Sequence, residues 1–596
     1  MHFLPTTLDE ARALGWDTLD IILVSGDAYI DHPSFGPALI GRYLEARGFK
    51  VGIIPQPNWR DPSSVTALGK PNLFFCVSAG NIDSLVNNYT ADKKPRRTDM
   101  YSPNNEAGHR PDRASIVYTA MLKRLYKNTP VALGGVEASL RRFVHYDYWD
   151  DKPRRSLLLD AKADLLLYGM SEKATLYLAE QLRAGVRWED VPQPPNSTRA
   201  CKTLDALPQK YLLLPPAEKA LADKKVHAEH FALYFREGRR KKPRTIVEPY
   251  PGRYLVTAPP DNLSGSELDE LFFLPFTRAP HPRYKNTPIP AYDFVRFSTI
   301  THRGCFGGCA FCAISQHQGR QIISRSEESI LKELQTIICR DKDFKGIIFD
   351  LGGPTANMYG MRCQSAGECL RGSCLYPAIC PHLKTSHARQ KALLSRARQL
   401  PGIKKVLLNS GIRYDLALLD LDYMEMLFTH HVGGQLSLAP EHICGEVLRV
   451  MGKPPYELYV KFLNKFLAFN KKHGIKQHIV PYFISAHPGS TLEHALKLAL
   501  YLNEHHLKLE QVQNFTPTPM TAATAMYYTG LDPFTKKPVH IPRGEERAFQ
   551  KALLQPHLPK NYRQVAKALK ILERTDLLKK LTRPDSRDVF RDGRDR

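Results

Sequence analysis

The sequence holds 596 residues with a formal net charge of +24, and 43% of the residues are hydrophobic. This length exceeds what one hydrophobic core supports, so we expect more than one domain, and the hydrophobic content excludes a largely disordered chain. No apolar run approaches the length of a membrane span, and the amino terminus lacks a basic region followed by an apolar stretch. We therefore predict a cytoplasmic protein with no membrane partner.

The chain opens with alternating strand and helix signals. Continuous apolar stretches predict buried strands at 19–25, 51–55, 72–77, 131–133 and 163–168, with a first connecting helix at 34–47. Glycine follows four of these stretches, at Gly26, Gly80, Gly134 and Gly169. The pattern predicts a doubly wound α/β sheet domain over residues 1–182, with any ligand at the carboxyl ends of its strands.

The sequence from 183 to 290 is proline-rich and basic, and it predicts a connecting region with one helical stretch near 217–237. From 291 to 530 strands and helices alternate again. The strands are predicted at 295–300, 346–350, 404–409, 434–438, 477–484 and 512–515, and the helices at 326–340, 386–400, 416–430, 456–472 and 491–504. This alternation predicts a partial (β/α)6 barrel. Residues 531–596 predict a small helical C-terminal region, with helices at 542–554 and 562–572 and a disordered tail.

Three cysteines follow the first barrel strand directly, in the sequence GCFGGCAFC. Thiolates are the usual ligands of iron in iron-sulfur clusters, and one [4Fe-4S] unit takes four. Cys305, Cys309 and Cys312 would therefore leave one iron open to another ligand. The alternative is a zinc site that His302 or His317 completes.

The spacing Cys-x3-Cys-x-Phe-Cys resembles the radical S-adenosylmethionine (radical SAM) signature. Together with DAYIDHP at 27–33, THRGC at 301–305, GGPTAN at 352–357 and APEH at 439–442, it resembles the YgiQ family of radical SAM proteins over nearly the whole chain. The resemblance implies a [4Fe-4S] cluster and reductive cleavage of SAM to a 5'-deoxyadenosyl radical. It also implies an electron donor such as flavodoxin or ferredoxin, and it leaves the substrate undefined.

The same resemblance implies four SAM-binding residues. Gly352 and Gly353 are similar to the glycine pair that approaches the SAM amino group, where bare backbone carbonyls accept from the ammonium, although Pro354 stands where an acidic residue is common. Arg413 and Glu441 stand after later strands, where their side chains could meet the carboxylate and the ribose of SAM.

Many radical SAM enzymes carry a similar sheet domain that binds cobalamin. The usual cobalt-ligating pattern places one residue between Asp and His and two between His and Gly. Here Asp31 and His32 are adjacent, and three residues separate His32 from Gly36. We therefore expect His32 to be a hydrogen-bonding loop residue and the chain to bind no cobalamin.

A second group of cysteines, Cys363, Cys369, Cys374 and Cys380, lies in the long segment after the second barrel strand. Four thiolates at this spacing predict a second metal centre, either a structural zinc site or an auxiliary iron-sulfur cluster. Two disulfides, which a reducing cytosol disfavours, and four unligated thiols are the alternatives.

The net positive charge is compatible with an RNA partner, but the basic runs at 93–97 and 239–244 have few interleaved aromatic residues. Within an enzyme, RNA modification competes with action on a small metabolite or a protein. The alternative from another class is a zinc-stabilised nucleic-acid-binding protein without SAM chemistry. That protein would bind RNA with a steep salt dependence and would not consume SAM.

Overall fold

The structure is a computed structural model that describes residues 2–205, 207, 210–509 and 512–582. One large sheet forms the N-terminal half. Its strands, in chain order, are Ile21–Ser25, Val51–Pro55, Phe74–Ser78, Val131–Gly134, Leu165–Leu167, Ser197–Cys201, Tyr211–Leu213, Thr245–Tyr250 and Arg253–Thr257.

The first five strands of this sheet are parallel and stand in the order second, first, third, fourth, fifth. Alternate side chains of one strand enter different cores: Leu23 and Phe74 pack on one face of the sheet, and Ile22 and Phe75 pack on the other. Burial on both faces explains why these strands are continuous apolar runs in the sequence. The predicted doubly wound domain and its five strands are confirmed.

The segment from 183 to 290 differs from the prediction, because it contributes four strands to the same sheet. Ser197–Cys201 pairs antiparallel with Leu165–Leu167, and Arg253–Thr257 then pairs antiparallel with Ser197–Cys201. Several side chains of these strands are partly exposed, so the strands do not form continuous apolar runs. The partners of Ser197–Cys201 lie far away in sequence, whereas Thr245–Tyr250 and Arg253–Thr257 form a hairpin across Pro251 and Gly252 that the sequence analysis did not predict.

Six parallel strand positions form the predicted partial barrel. Ser298–Ile300 pairs with Asp350–Gly352, and Ile347–Ile348 pairs with Lys405–Val406. The remaining three strands, Gln435–Glu441, His478–Ser485 and Gln513–Asn514, form one parallel sheet. The strands are shorter than predicted at several ends, but each predicted position is confirmed.

Helices cover the sheet and the barrel. Those of six or more residues are Leu8–Ala13, Gly36–Glu45, Ala114–Leu125, Gly135–Leu140, Glu172–Arg183, Ala217–Ala222, Lys224–Glu237, Gly265–Leu271, Pro290–Val295, Glu327–Thr336, Ala388–Arg398, Leu421–Met426, Gly445–Met451, Tyr456–His473, Leu492–Glu504, Ala522–Thr529, Glu545–Leu554 and Tyr562–Ile571. Among the residues that the structure describes, no helix combines the length and the apolar character needed to cross a bilayer.

The C-terminal helices pack on the last barrel helix, since Leu553 and Leu569 share a core with Leu498. The preceding segment reaches the cysteine motif, because the Ala523 amide donates to the Ala310 carbonyl at 2.9 Å. The predicted helical C-terminal region is therefore confirmed up to residue 582. The predicted disordered tail lies outside the described residues.

Candidate active site

The cluster loop, residues 304–312, leaves the first barrel strand at its carboxyl end. Gly304 and Gly308 have positive φ values of 89° and 70°. A Cβ on Gly304 would collide with the Gln321 carbonyl, and one on Gly308 would lie 2.6 Å from the Gly372 carbonyl oxygen. The loop can fold this way only because these two positions carry no side chain.

The thiols of Cys305, Cys309 and Cys312 face one another inside this loop. Burial, and next the neighbouring Cys309 and Cys305 thiols, together raise the pKa of the Cys312 thiol to about 12. Burial also raises the pKa of the Cys305 thiol. Three thiolates cannot share a dry pocket without a compensating cation, and an iron-sulfur core supplies one, so the donor set fits such a cluster.

Within the described part of the chain, no three His, Cys, Asp or Glu side chains stand together as metal ligands would. All eleven cysteines lie in that part, and each is a free thiol. The Nδ1 atoms of His302 and His317 contact the hydroxyls of Thr301 and Ser139, at 2.8 and 2.9 Å, so any metal bond of these histidines would be made by Nε2.

Arg413 lies beside the cysteines and is held in place by Asp415. Its Nε and Nη2 donate to the two carboxylate oxygens of Asp415 at 2.8 and 2.6 Å. Its Nη1 lies 3.7 Å from the sulfur of Cys309. The planar fork therefore leaves one edge of a buried guanidinium directed at the cluster loop.

Glu441 comes to the same place through a distortion of its strand. The pairing register shifts between Leu438 and Glu441, and Glu441 has a φ of 69°. Bulges and left-handed non-glycine residues re-aim side chains at functional sites. Burial raises the pKa of the Glu441 carboxyl, and Lys453, whose Nζ is 3.9 Å away, and Arg413 act against that shift.

Gly352 and Gly353 lie at the carboxyl end of the second barrel strand. The Gly352 carbonyl already accepts from the Thr301 amide at 2.7 Å and from the Thr301 hydroxyl at 3.0 Å. A Cβ on Gly353 would lie 2.6 Å from the ring of His302. The Gly352 carbonyl, which was predicted to be free, therefore already accepts two hydrogen bonds. A SAM ammonium approaching this strand end would depend on the Gly353 carbonyl.

A cavity of about 580 Å³ separates the N-terminal sheet from the barrel. We call it the central cavity. Strand ends of the sheet line one wall, with Ser78 and Gly134, and strand ends of the barrel line the other, with Ile300, Gly352 and Gly353. Two carboxyl edges thus face one enclosed space, as expected where parallel sheets place their ligands.

One polar contact spans the central cavity between the domains, and sequence reasoning missed it. Arg303 of the barrel donates to Glu172 of the sheet domain at 2.6 Å. Among the described residues, Glu172 Oε2 and His302 Nε2 are buried without a hydrogen-bond partner. Both residues line the central cavity, so both atoms are candidates to contact a ligand. No sequence signal links Glu172 to the cysteine motif, because it comes from the other domain.

Comparison with known proteins covers nearly the whole sequence. Residues 3–298 match the Radical SAM N-terminal family model, 299–502 match the Radical SAM superfamily model, and 510–583 match a domain of unknown function, DUF3362. A UPF0313 protein of Methanosarcina acetivorans is 48% identical over 97% of this chain and 81% of its own length. One from Geobacter sulfurreducens is 49% identical over 98% and 96%. The UPF0313 protein YgiQ of Escherichia coli K12 is 44% identical over 97% and 87%.

The chain belongs to the UPF0313 family, which includes YgiQ. The resemblance inferred from the motifs is confirmed, and with it the assignment of the chain as a radical SAM enzyme. Members of this superfamily use an iron-sulfur cluster and SAM. The zinc-stabilised nucleic-acid-binding alternative receives no support from these matches.

Solved structures resemble this UPF0313 chain only distantly. The radical SAM methyltransferase TsrM of Kitasatospora setae aligns with a TM-score of 0.47 and 15% identity, over 84% of this chain and 75% of that one. The cobalamin-dependent SAM radical enzyme OxsB aligns with a TM-score of 0.46 and 12% identity, over 86% and 55%. Likeness at this level carries no argument about what this chain binds.

The polar loop at residues 26–33 is used inside the sheet domain. Asp27 pairs with Arg110 at 2.6 Å, and Asp31 pairs with the buried Arg42 at 2.6 Å. His32 is buried, and its Nδ1 accepts from the Ser34 amide at 3.2 Å. The hydrogen-bonding role predicted for His32 is therefore present.

Proposed function

We propose that the chain binds a [4Fe-4S] cluster through Cys305, Cys309 and Cys312 and uses it to cleave SAM reductively. The observation that carries the proposal is the meeting of three buried thiols with Arg413 and Glu441 at the carboxyl edge of the barrel. A reduced cluster of this kind supplies the electron that converts SAM to methionine and a 5'-deoxyadenosyl radical. The protein holds, orients and shields the reactants.

Four residues would bind SAM in this proposal. Arg413, fixed by its two bonds to Asp415, would donate its free edge to the SAM carboxylate. The bulge that directs Glu441 inward would let its carboxylate accept from ribose hydroxyls. Gly353 would offer its carbonyl to the SAM ammonium, and Gly352 would permit close approach while Thr301 occupies its own carbonyl.

The central cavity would hold the substrate. It adjoins Gly352 and Gly353, so a radical formed at the SAM site would meet whatever occupies it. An enclosed volume of about 580 Å³ suits a small molecule or a single extruded nucleotide better than a duplex. The net charge of +24 keeps RNA as the second candidate substrate, with a small-molecule substrate first.

Cobalamin, the electron donor and the compartment belong to this proposal as well. We propose an enzyme that works without cobalamin, and His32 is not among the lining residues of the central cavity, so it would not serve a cobalt ion there. A flavodoxin or ferredoxin would supply the electron, and the cytoplasm would keep the thiols reduced. Cobalt analysis of protein produced with cobalamin in the medium tests the first point.

The central experiment is anaerobic purification followed by iron and sulfide analysis, and then by incubation with dithionite and SAM. We expect iron and sulfide in cluster proportions, a broad visible absorption band, and formation of 5'-deoxyadenosine that depends on the reductant. A colourless protein that leaves SAM intact after cluster reconstitution would overturn the proposal. Cell extracts are then separated into a low-mass fraction and an RNA fraction. The fraction that accelerates SAM consumption indicates the class of the substrate.

A further inference from the structure

The second cysteine loop, residues 363–380, packs directly on the cluster loop. The Cys374 amide donates to the Phe306 carbonyl at 3.2 Å. The Ser373 hydroxyl donates to the Gly307 carbonyl at 2.5 Å. The long segment after the second barrel strand is thus folded back onto the cysteine motif.

Three of the four cysteines of the second loop are joined by backbone contacts. Cys363 pairs with Leu383 across a short antiparallel ladder, and the Leu383 amide donates to the Cys380 carbonyl at 2.9 Å. The Cys380 amide donates to the Cys374 carbonyl at 2.8 Å. Burial raises the pKa of the Cys374 thiol, and the thiols of Cys380, Cys369 and Cys363 are close enough to raise it further.

Two buried guanidinium groups face this group of thiols. Arg320 Nη2 lies 3.8 Å from the Cys374 sulfur, and Arg320 Nη1 donates to the Arg239 carbonyl at 3.3 Å. Arg239 is 8% exposed, and within the described residues its Nε and Nη1 find no hydrogen-bond partner. Burial, and next repulsion from Arg320, lower the pKa of Arg239 to about 9, although Cys374 and Cys369 act against both.

Neighbouring carboxylates do not compensate these two cations. Glu237 accepts from Arg244 at 2.7 Å and lies 3.2 Å from Arg240. Glu368 lies 3.3 Å from the other side of Arg240. Within the described residues, the Arg239 guanidinium stacks on the Phe235 ring at 4.0 Å, but its Nε and Nη1 have no hydrogen-bond partner, so negative charge on the cysteine side would compensate it.

We propose that Cys363, Cys369, Cys374 and Cys380 hold a second metal centre, bound by four thiolates and separate from the cluster of the first loop. Zinc or an iron-sulfur core in such a shell carries a net charge of about −2. That charge would lie against Arg239 and Arg320 and supply their missing counterion. Metal binding would release the thiol protons and draw the more exposed cysteines inward.

The first test removes the first cluster and asks what metal remains. A variant with Cys305, Cys309 and Cys312 all replaced by alanine is purified anaerobically and reconstituted, and iron, sulfide and zinc are measured. We expect one retained centre per chain. Iron with sulfide supports an auxiliary cluster, and zinc supports a tetrathiolate zinc site.

Two further variants keep this test decisive. Adding Cys374→Ser and Cys380→Ser to the triple variant must remove the residual metal, whereas adding Cys339→Ser, outside both loops, must not. Neither metal in a triple variant with the circular dichroism of the wild type overturns the proposal. The triple variant lacks the thiols of the first loop, so its metal content reports on the second loop alone, and failure here is separate from failure of SAM cleavage by the wild type.

The second test replaces Arg239 and measures both the rate of metal release and the Tm. If Arg239 compensates a negative centre, Arg239→Gln in the triple variant will release the metal to a chelator several times faster. If no centre forms, the same change removes an unpaired buried charge, so it will raise the Tm and leave the metal content unchanged. The second result overturns the proposal.

Discussion

The two walls of the central cavity are built alike and carry different chemistry. Both are carboxyl edges of parallel strands. Apart from Glu172, which pairs with Arg303 of the barrel, the sheet wall presents neutral residues such as Ser78 and Gly134, while Asp27 and Asp31 of the adjoining loop are neutralised by buried arginines. The barrel edge keeps its charged groups, among them Arg413, turned toward the cysteines.

This difference indicates that the sheet domain and the barrel have separate roles. An ion pair that is complete within one domain contributes structure but leaves no group for a ligand. A buried guanidinium with one free edge, or a buried carboxyl directed inward by a bulge, has capacity left for a ligand. The sheet domain would therefore shape the substrate space, and the barrel would perform the chemistry.

The largest loss of function should follow removal of a cysteine from the barrel edge. Cys309→Ala removes one of three thiolates and the sulfur that Arg413 faces, so we expect the first cluster to be lost and SAM cleavage to fall to background. Cys339→Ser, outside both loops, should change neither. A Cys309→Ala protein that keeps its full iron and still forms 5'-deoxyadenosine would contradict the assignment.

A second change alters the barrel wall without touching a thiol. In Gly353→Val the new Cβ would fall 2.6 Å from the His302 ring, so the wall must shift where SAM is proposed to bind. We expect iron to be retained and SAM affinity to fall at least tenfold, a loss of about 1.4 kcal/mol. Calorimetry on the anaerobic protein measures this, and Gly445→Val, which has open space around it, is the matched control. Unchanged affinity for SAM would mean that Gly353 only forms a turn and does not contribute to SAM binding.

A third change fills the sheet wall instead. Gly134 lines the central cavity, has an extended backbone, and has no atom within 4 Å of where a Cβ would stand. Gly134→Leu should keep iron content and SAM affinity but abolish the acceleration of SAM consumption by the low-mass fraction of a cell extract. Gly134→Ala should show an intermediate loss. If both variants respond as the wild type does, the substrate lies elsewhere.

The sequence predicted what local patterns determine. Continuous apolar runs such as 21–25 mark strands buried on both faces, and the cysteine spacing marks the cluster loop. Neither pattern reveals that Arg303 meets Glu172, because that contact depends on how two domains pack. The added strand Ser197–Cys201 was missed for the same reason, since its pairing partners are remote.

The smallest expected effect concerns Glu441 and depends on pH. Burial raises the pKa of this carboxyl above its unfolded value near 4.5, despite Lys453 and Arg413. The folded protein then holds a proton that the unfolded chain has lost, so the contribution of Glu441 to stability falls as the pH rises through the unfolded pKa and levels off above the folded one.

Glu441→Gln removes this loss of stability. In the metal-free protein without SAM, we expect the variant to gain stability over the wild type at pH 8 and to gain little at pH 4, as measured by urea unfolding. If the variant is instead less stable at pH 8, then Lys453 and Arg413 hold the carboxylate firmly, and the barrel edge would balance its charges internally as the sheet domain does.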